Sequence, residues 1–415
     1  MLCVGIDWAD DHHDVCLTNE HCPEVSGTLD RFRIDQSAAG FDELHARLRQ
    51  HEPDPQQILV AIETKHGLLV HDLLRQGYVV YGLNPKAVNR YKDRHTQSSA
   101  KDDARDALAM AHLLRTDRHL LQPLKLLPDD YRLLDEFCRD LRQMVDDRTR
   151  LLNRLEACLK EYYPQAVSIF SRLDALIATA FLSAYPDPEA LQKASSVEFK
   201  AFLKQHHYPC PGRADALYDK TRIPAPKADP VITRAAKLRM LALVDQIATL
   251  RAHIADYERQ IEELFETLGD HQNITTLPGV GERLAPELAA TLGPRPKEGP
   301  PRFGCARDLE KLGGCAPVTK QSGRYKNVFF RRACNKRLRR TMRDWTQASL
   351  LRSRWAKAYY DYHKAQGHRH NTILRNLGAK LLAILFKLWH TGEDYDEQTH
   401  IDNLKANNVV WAMAL

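Results

Sequence analysis

The sequence of 415 residues lacks the cysteine patterns that stabilise small secreted domains or hold zinc. Its nine cysteines are scattered, their number is odd, and no two of them form a Cys-x-x-Cys pair. A disulfide framework needs paired cysteines and a zinc ribbon needs closely spaced ones, so neither is indicated. We expect reduced, mostly structural thiols.

Long apolar segments are also missing. No uninterrupted apolar run approaches the roughly 20 residues that a membrane span requires, and no basic-then-apolar signal opens the chain. The chain has no low-complexity tail and no internal repeat. We therefore predict a cytoplasmic protein without a membrane partner.

Charge is distributed unevenly along the chain, although the net charge is only +6. Residues 1–120 hold 14 Lys and Arg against 19 Asp and Glu, whereas residues 295–345 hold 15 against 4. A basic segment of this kind favours a polyanionic partner, although a single run of charge is more often a solvated face. Nucleic acid is the expected partner of the C-terminal part.

The first 120 residues have the pattern of a mixed α/β domain, which we predict to be RNase H-like. Short apolar runs separated by polar turns predict strands at 2–7, 14–17, 32–34, 58–62 and 78–83. Helices are predicted at 37–50, 68–76 and 101–115, which gives the order βββαβαβ followed by a helix. We predict this domain over residues 1–120.

The middle of the chain is predicted to be helical. Apolar residues recur at three- and four-residue steps from Leu134 to Tyr162, interrupted by Arg148, and again from Met240 to Leu268. Two such runs around an insertion suggest an antiparallel coiled-coil arm over 129–268 with a helical lobe at 165–233; two helices of a bundle are the alternative. A mostly helical C-terminal domain over 270–395, with helices near 335–352 and 371–390, and a tail over 396–415 complete the predicted α/β plus α architecture.

Carboxylates at the ends of the predicted strands suggest a metal site. Asp7 ends the first strand and Glu63 follows the strand at 58–62, so both lie at the carboxyl edge of the sheet. Asp103 and Asp106 stand three apart on a predicted helix and share a face. Four carboxylates suit Mg²⁺ or Mn²⁺, and two ions about 4 Å apart are typical of phosphodiester chemistry.

Other acidic residues compete for this role. Asp102 also shares a helix face with Asp106 and is an alternative to Asp103, while Asp10, Asp11 and Asp14 compete with Asp7. Each single Asp is more often a helix cap or a surface charge. The combination within this strand order favours the metal site.

A serine in the basic segment is the candidate nucleophile. Gln321-Ser322-Gly323 is a short motif, but a serine hydroxyl becomes reactive where metals and basic side chains polarise the phosphate that it attacks. Residues 276–281 resemble a helix–hairpin–helix turn, whose amides at Gly279 and Gly281 can bind phosphate, or else form a tight interhelical turn. The basic residues predicted to bind nucleic acid are Arg324, Lys326, Arg331, Arg332, Lys336, Arg337, Arg339 and Arg340.

Taken together, these motifs resemble the DEDD transposases of insertion sequences, a family that includes bridge-RNA-guided recombinases and DNA invertases. The motifs are Val4-Gly5-Ile6-Asp7, Ala61-Ile62-Glu63, Asn84-Pro85, Lys101-Asp102-Asp103-Ala104-Arg105-Asp106-Ala107, Leu277-Pro278-Gly279-Val280-Gly281 and Gln321-Ser322-Gly323. The family pattern Lys-x-Asp-x-x-Asp-Ala favours Asp103 over Asp102 as the third acid. The Pro- and Arg-rich loop at 293–304 departs from commoner members.

The resemblance implies a RuvC-like, metal-dependent N-terminal domain and a serine, Ser322, that attacks DNA to form a phosphoserine linkage. It also implies a bacterial protein associated with the nucleoid when active, a composite site shared between protomers of a dimer or tetramer, and a structured non-coding guide RNA that pairs with donor and target DNA.

Three hypotheses follow. The first is a recombinase in which Ser322 attacks a phosphate polarised by metals at the four carboxylates. The second is a hydrolytic Holliday-junction resolvase in which the same carboxylates activate water. The third is a nucleic-acid-binding scaffold with a degenerate nuclease fold, which the presence of all four acids disfavours. A covalent protein–DNA product distinguishes the first from the second.

Overall fold

The chain divides into two units, Met1–Leu126 and Leu127–Leu415, in the computed structural model. The structure describes residues 1–22, 27–95, 103–224, 226, 228–296, 301–323 and 325–415, and of residues 94, 95, 103 and 104 it describes the backbone alone. Within these residues, no helix has the length and apolar character needed to cross a membrane.

The N-terminal unit is built on a five-stranded mixed sheet. Its strands are β1 (Leu2–Trp8), β2 (His12–Asn19), β3 (Asp30–Asp35), β4 (Ile58–Ile62) and β5 (Val79–Gly82). The spatial order is β3-β2-β1-β4-β5; β2 is antiparallel to both neighbours, whereas β1, β4 and β5 are parallel. The predicted order βββαβαβ is present, and all five predicted strands are found.

Helices cover both faces of this sheet. They are α1 (Ala38–His51), α2 (Leu68–Arg75), α3 (Pro85–His95) and α4 (Asp103–Asp117). Alternate β1 residues such as Val4 and Ile6 pack with apolar residues of α1 and α2, while Cys3 packs with Met110 and Leu114 of α4 on the opposite face. Period-two alternation along β1 therefore separates two small cores.

Helix α3 was missed by the sequence prediction. Asn84 accepts a hydrogen bond from the backbone N–H of Lys86 (2.9 Å), and Pro85 occupies the first helical position, where its missing N–H costs nothing. Helix α3 is mostly polar, with Val88 buried and Tyr91 half-buried, so its apolar periodicity is weak.

The two long helices predicted in the middle of the chain are present and pack against each other. Helix α5 spans Asp129–Tyr162, and five short helices separate it from the second long helix: α6 (Pro164–Ile169), α7 (Leu176–Ala184), α8 (Pro188–Lys193), α9 (Ser196–Gln205) and α10 (Ala214–Thr221). Helix α11 spans Pro230–Thr267. The start of α5 shares a core with the end of α11, so the pair is antiparallel. Their description as a coiled-coil arm stays a prediction.

The C-terminal part is mostly helical, as predicted, but it contains a hairpin that the sequence did not indicate. Its elements are α12 (Gly281–Leu292), α13 (Ala306–Leu312), β6 (Val318–Ser322), β7 (Tyr325–Phe329), α14 (Lys336–Arg352), α15 (Arg354–Ala365), α16 (His370–Thr391) and α17 (Glu397–Ala406). Trp345, Trp355 and Trp389 are almost fully buried in its core. The two helices predicted near 335–352 and 371–390 agree with α14 and α16 within one residue.

A buried ionic network connects three helices of this unit. Arg142 on α5 donates to both carboxylate oxygens of Glu287 on α12 (2.7 and 2.8 Å) and to Asp344 on α14 (2.8 Å). The hydroxyl of Thr341 also donates to Glu287 (2.5 Å). Arg142 and Glu287 are both more than nine-tenths buried, so each depends on its partner.

Candidate active site

Asp7 lies in β1 and Glu63 directly follows β4, at the same end of the sheet. Ile6 of β1 pairs with Ile62 of β4 in parallel register, and Asp7 and Glu63 each follow directly. Both continue the alternation that places Cys3 and Ala61 on the α4 face. Their side chains therefore belong to one face at the carboxyl ends of parallel strands, where open α/β sheets bind ligands.

Helix α4 approaches this face very closely because β1 carries glycine at position 5. A Cβ atom on Gly5 would lie 2.6 Å from the backbone nitrogen of Ala111 and would also overlap the carbonyl oxygen of Ala107. Only glycine permits this backbone contact. The contact fixes α4 against β1, and Asp106 immediately precedes Ala107 on that helix.

Glu63 lies within electrostatic range of Asp106. Burial raises the pKa of Glu63, the nearby carboxylate of Asp106 raises it further, and Lys92 partly opposes both effects. Lys92 on α3 forms an ion pair with Asp106, with 2.6 Å between Nζ and Oδ1. Two acids and one lysine from three elements thus meet within electrostatic range. The sequence analysis missed Lys92, since α3 itself was not predicted.

Asp103 is the first residue of α4, three residues before Asp106, and its side chain lies outside the described residues. Lys101 and Asp102 lie outside them entirely. Among the side chains that are described, no three His, Cys, Asp or Glu residues are grouped closely enough to hold a metal. The four-carboxylate set therefore stays a prediction.

Asp14, one of the alternatives to Asp7, has a different partner. It stands opposite Asp7 on β2. Both of its carboxylate oxygens accept hydrogen bonds from Arg33, at 3.2 and 2.8 Å. Asp10 and Asp11 are exposed in the turn between β1 and β2. Asp7 lies beside Glu63, and its choice over these alternatives stays a prediction.

Ser322 lies at the tip of an exposed hairpin. It is the last residue of β6 and pairs with Tyr325 of β7, and Gly323 makes the turn with a φ of +56°. Ser322 and Lys326 are both exposed. Arg324 lies outside the described residues. A serine in this position is accessible to a large substrate.

The predicted nucleic-acid-binding residues fall into two groups. Lys326, Arg332 and Lys336 are exposed. The other four make hydrogen bonds within the unit: Arg331 to the carbonyl of Ala316, Arg337 to Asp135, Arg339 to the carbonyls of Arg331 and Arg332, and Arg340 to Asp146. Arg337 and Arg340 connect α14 to α5 through these partners, a role that the sequence did not indicate.

The pair between Arg340 and Asp146 joins two guanidinium nitrogens to both carboxylate oxygens, at 2.5 and 2.6 Å. Hydrogen bonding to Arg340 holds the pKa of Asp146 below its usual value. Phosphate binding by Arg340 would require it to leave this partner.

The turn at residues 277–281 packs on α14. Gly279 and Gly281 have φ values of +81° and +58°. A Cβ atom on Gly279 would lie 2.7 Å from backbone atoms of Ala348 and Ser349. The carbonyl of Pro278 accepts a hydrogen bond from the Trp345 indole (3.0 Å). Gly279 thus has a packing role, and phosphate binding by this turn stays a prediction.

We expect Gly279→Ala to destabilise the protein more than Gly281→Ala. Both changes force a left-handed residue, at about 1–2 kcal/mol each. Gly279→Ala adds an overpacking cost of about 1–3 kcal/mol, because its Cβ meets backbone, whereas nothing lies within 4 Å of a Cβ at Gly281. Urea unfolding of the two variants measures the difference, and equal midpoints would contradict the packing role.

Two transposase family models match the chain, one over its N-terminal part together with α5 and the other over its C-terminal part. The IS110-type DEDD model, described as a transposase, matches residues 4–164, and the model described as the transposase IS116/IS110/IS902 family matches residues 271–361. The first match contains the carboxylates and the second contains Ser322. The protein is a transposase. More particularly, it belongs to the IS110 family of insertion-sequence transposases, which confirms the family predicted from its motifs.

Similar proteins agree with this assignment. The mini-circle putative transposase for IS117 of Streptomyces coelicolor is 31% identical over 407 residues, covering 95% of each chain. A putative transposase, y4uE, of Sinorhizobium fredii is 32% identical over 49% of this chain and 56% of its own. Among solved structures, Thermus thermophilus RuvC with a Holliday junction substrate is 15% identical, covering 30% of this chain and 99% of RuvC with a TM-score of 0.22.

Proposed function

We propose that the protein cuts and rejoins the DNA of an insertion sequence through a serine nucleophile, Ser322, assisted by divalent metal at a carboxylate site. The observation that carries this proposal is the placement of Asp7 and Glu63 on one face of adjacent parallel strands, against the helix that bears Asp106. The exposed position of Ser322, within a matched transposase segment, supports the second half of the proposal.

The donors fit a hard divalent cation. Asp7, Glu63 and Asp106, with Asp103 from the first turn of α4, would hold Mg²⁺ or Mn²⁺, which prefer carboxylate oxygen. The pKa of Glu63 is raised by burial and by the nearby charge of Asp106. A bound cation would favour the ionised form of Glu63 and so oppose both effects. When bound, the metal supplies charge that polarises the scissile phosphate.

Ser322 would act as the nucleophile at that phosphate. Its Oγ forms a bond to phosphorus while the bond from phosphorus to one deoxyribose oxygen breaks. The serine gives up its proton, and the departing deoxyribose oxygen gains one. The phosphoserine product keeps a phosphodiester bond, so attack by another DNA hydroxyl reverses the step and rejoins strands without an external energy source.

Nucleic acid would contact the exposed basic residues around the hairpin. Lys326, Arg332 and Lys336 are the described candidates for phosphate contacts, and Arg324 is a further candidate. We also infer a guide RNA from the element and a dimer or tetramer in which protomers share the site. These two inferences are supported by membership in the IS110 family.

The proposal predicts a covalent protein–DNA adduct that depends on Ser322. Wild type, Ser322→Ala and Thr319→Ala are incubated with Mg²⁺, donor and target DNA and the non-coding RNA of the element, then separated on denaturing gels. We expect adduct with wild type and none with Ser322→Ala. Thr319→Ala is the matched control, because Thr319 is an exposed hydroxyl on the same strand.

Cleavage without adduct in all three proteins would favour the hydrolytic resolvase. Binding without cleavage under every condition would instead favour a scaffold. Equal amounts of adduct from wild type and Ser322→Ala would mean that another residue is the nucleophile.

A further inference from the structure

A cavity of about 360 Å³ opens in the C-terminal unit beside the Ser322 hairpin. It lies between α14, α16, the loop after α13 and Phe330, the residue that follows β7. This volume is within the range of small-ligand sites. We call it the arginine cavity, because its charged lining residues are Arg339, Arg343 and Arg375.

The positive charge of this cavity is only partly compensated. Arg339 donates to the backbone carbonyls of Arg331 and Arg332, and Arg375 donates to the carbonyl of Asn371 and the hydroxyl of Thr372. These neutral acceptors orient the guanidinium groups without neutralising them. In the described part of the chain, no carboxylate lines the cavity, and only Arg343 has a carboxylate partner, Asp344 at 3.2 Å.

The cavity also has an apolar and aromatic part. Cys315, Met342 and Leu374 are buried and line it, and Phe330 is 43% exposed. The guanidinium carbons of Arg339 and Arg375 lie 4.4 and 4.9 Å from the centre of the Phe330 ring. A nucleotide matches this combination. Its base can stack on guanidinium groups and aromatic rings, and its phosphate carries the negative charge that the arginines attract.

The cavity lies close to the candidate nucleophile along the hairpin. Ser322 pairs with Tyr325 at the tip, and Val318 pairs with Phe329 at the base, next to Phe330. Four residue steps along a strand span roughly 14 Å. This distance corresponds to about four nucleotides of B-form DNA. A DNA strand that runs along the hairpin from Ser322 would reach the arginine cavity after about four nucleotides.

We propose that the arginine cavity binds one unstacked base of the DNA substrate, a few nucleotides from the phosphate that Ser322 attacks. The base occupies the space above Met342 and Leu374, and its backbone phosphate contacts Arg343 or Arg375. Extruding a base from a duplex loses its stacking and pairing, and stacking and phosphate contacts in the cavity offset that loss. This inference rests on the proposed function, since it takes DNA at Ser322 as the reason for the position of the cavity.

The test uses duplex DNA carrying the element's ends, with a single abasic nucleotide moved along the ten positions on each side of the cut. Binding is measured by fluorescence anisotropy in EDTA, with full-length Ser322→Ala protein and the element's RNA, so no cleavage is needed. We expect one or two positions at which the missing base weakens binding about tenfold, as for the loss of one stacked base. Arg375→Ala should weaken binding of intact DNA similarly and cause no further loss at those positions.

Two further variants sharpen the result. Asn371→Trp places a large ring at the exposed rim and should give the same pattern as Arg375→Ala. Arg352→Ala removes an exposed arginine of α14 outside the cavity and should affect all abasic DNAs equally.

Equal effects of Arg375→Ala and Arg352→Ala, with no sensitive abasic position, would overturn the cavity proposal. If Arg375→Ala weakens binding of the element's RNA but not of the DNA, the occupant is an RNA base and the DNA proposal is wrong. Adduct formation by the wild type is measured separately. If adduct forms but no abasic position weakens binding, the proposed function stands and only the cavity proposal fails. A protein that binds none of these DNAs would overturn both.

Discussion

Replacement of Asp7 by asparagine is expected to abolish strand cleavage while leaving nucleic-acid binding largely intact. Asparagine keeps the size of the side chain but removes the negative charge that would hold a divalent cation. Losing a group that merely orients a metal ligand costs about 10- to 100-fold, so we expect losing a ligand to cost on the order of a thousandfold. Cleavage of end-labelled DNA and gel-shift binding, measured in parallel, separate the two effects.

Asp14→Asn is the matched control for Asp7→Asn. Asp14 stands directly opposite on β2, and antiparallel partners share a face, but its carboxylate is paired with Arg33. We expect Asp14→Asn to retain cleavage. Equal loss from both changes would show that the negative charge of this face matters more than a specific ligand, and normal cleavage by Asp7→Asn would exclude its metal role.

The same comparison discriminates between the neighbouring acids Asp102 and Asp103. The sequence motif selects Asp103, so Asp103→Asn should behave as Asp7→Asn does. Asp102→Asn should cleave normally. The reverse result would exchange their roles and would leave the remaining assignments unchanged.

The carboxylate face was predictable from sequence because it depends on strand ends. Asp7 and Glu63 follow apolar runs that are unmistakable as buried strands, and parallel register brings their ends together. Lys92 was not predictable in this way. Its helix is mostly polar, and its pairing with Asp106 depends on how α3 and α4 pack on the sheet. A capping Asn84 before Pro85 was the available signal for that helix.

The C-terminal unit shows a different limit of sequence reasoning. The predicted helices near 335–352 and 371–390 correspond to α14 and α16, but β6 and β7 are almost fully exposed, and neither was predicted because neither has the apolar alternation of a half-buried strand. The arginine cavity combines residues from α14, α16 and the segment after β7. Contacts between such distant segments leave no pattern in the local sequence. A run of arginines also has the same sequence whether its side chains pair within the protein or face solvent.

Removing the buried guanidinium of Arg142 is expected to cause a large loss of stability in the C-terminal unit. Arg142→Met leaves Glu287 buried with Thr341 as its remaining side-chain donor among the described contacts. Breaking a buried ion pair in this way costs about 3–5 kcal/mol. Chemical unfolding monitored by the fluorescence of buried tryptophans measures the loss. Arg139→Met is the matched control, since Arg139 is an exposed arginine on the same helix whose pair with Glu136 contributes little.

The pH dependence of stability provides a second test of the ionic network around Arg142. Burial tends to raise the pKa of Asp344, but the hydrogen bond and charge of Arg142 outweigh it and hold that pKa below its usual value. A carboxylate with a lowered pKa in the folded state stabilises the protein above its unfolded pKa of about 3.9, and that contribution disappears as the pH falls through the folded value. Arg142→Met should therefore flatten the acid limb of the stability curve, an effect that simple loss of packing does not produce.

The double variant Arg142→Met, Glu287→Met decides whether charge or shape holds the three helices together. If the cost of Arg142→Met comes from an uncompensated buried carboxylate, removing that carboxylate as well should recover most of the lost stability, because apolar replacements of buried ion pairs are often neutral or better. The coupling between the two changes should then exceed about 2 kcal/mol. Additive losses would mean that the arginine stem and the glutamate contribute through packing, and that α5, α12 and α14 would hold their arrangement without the ionic network.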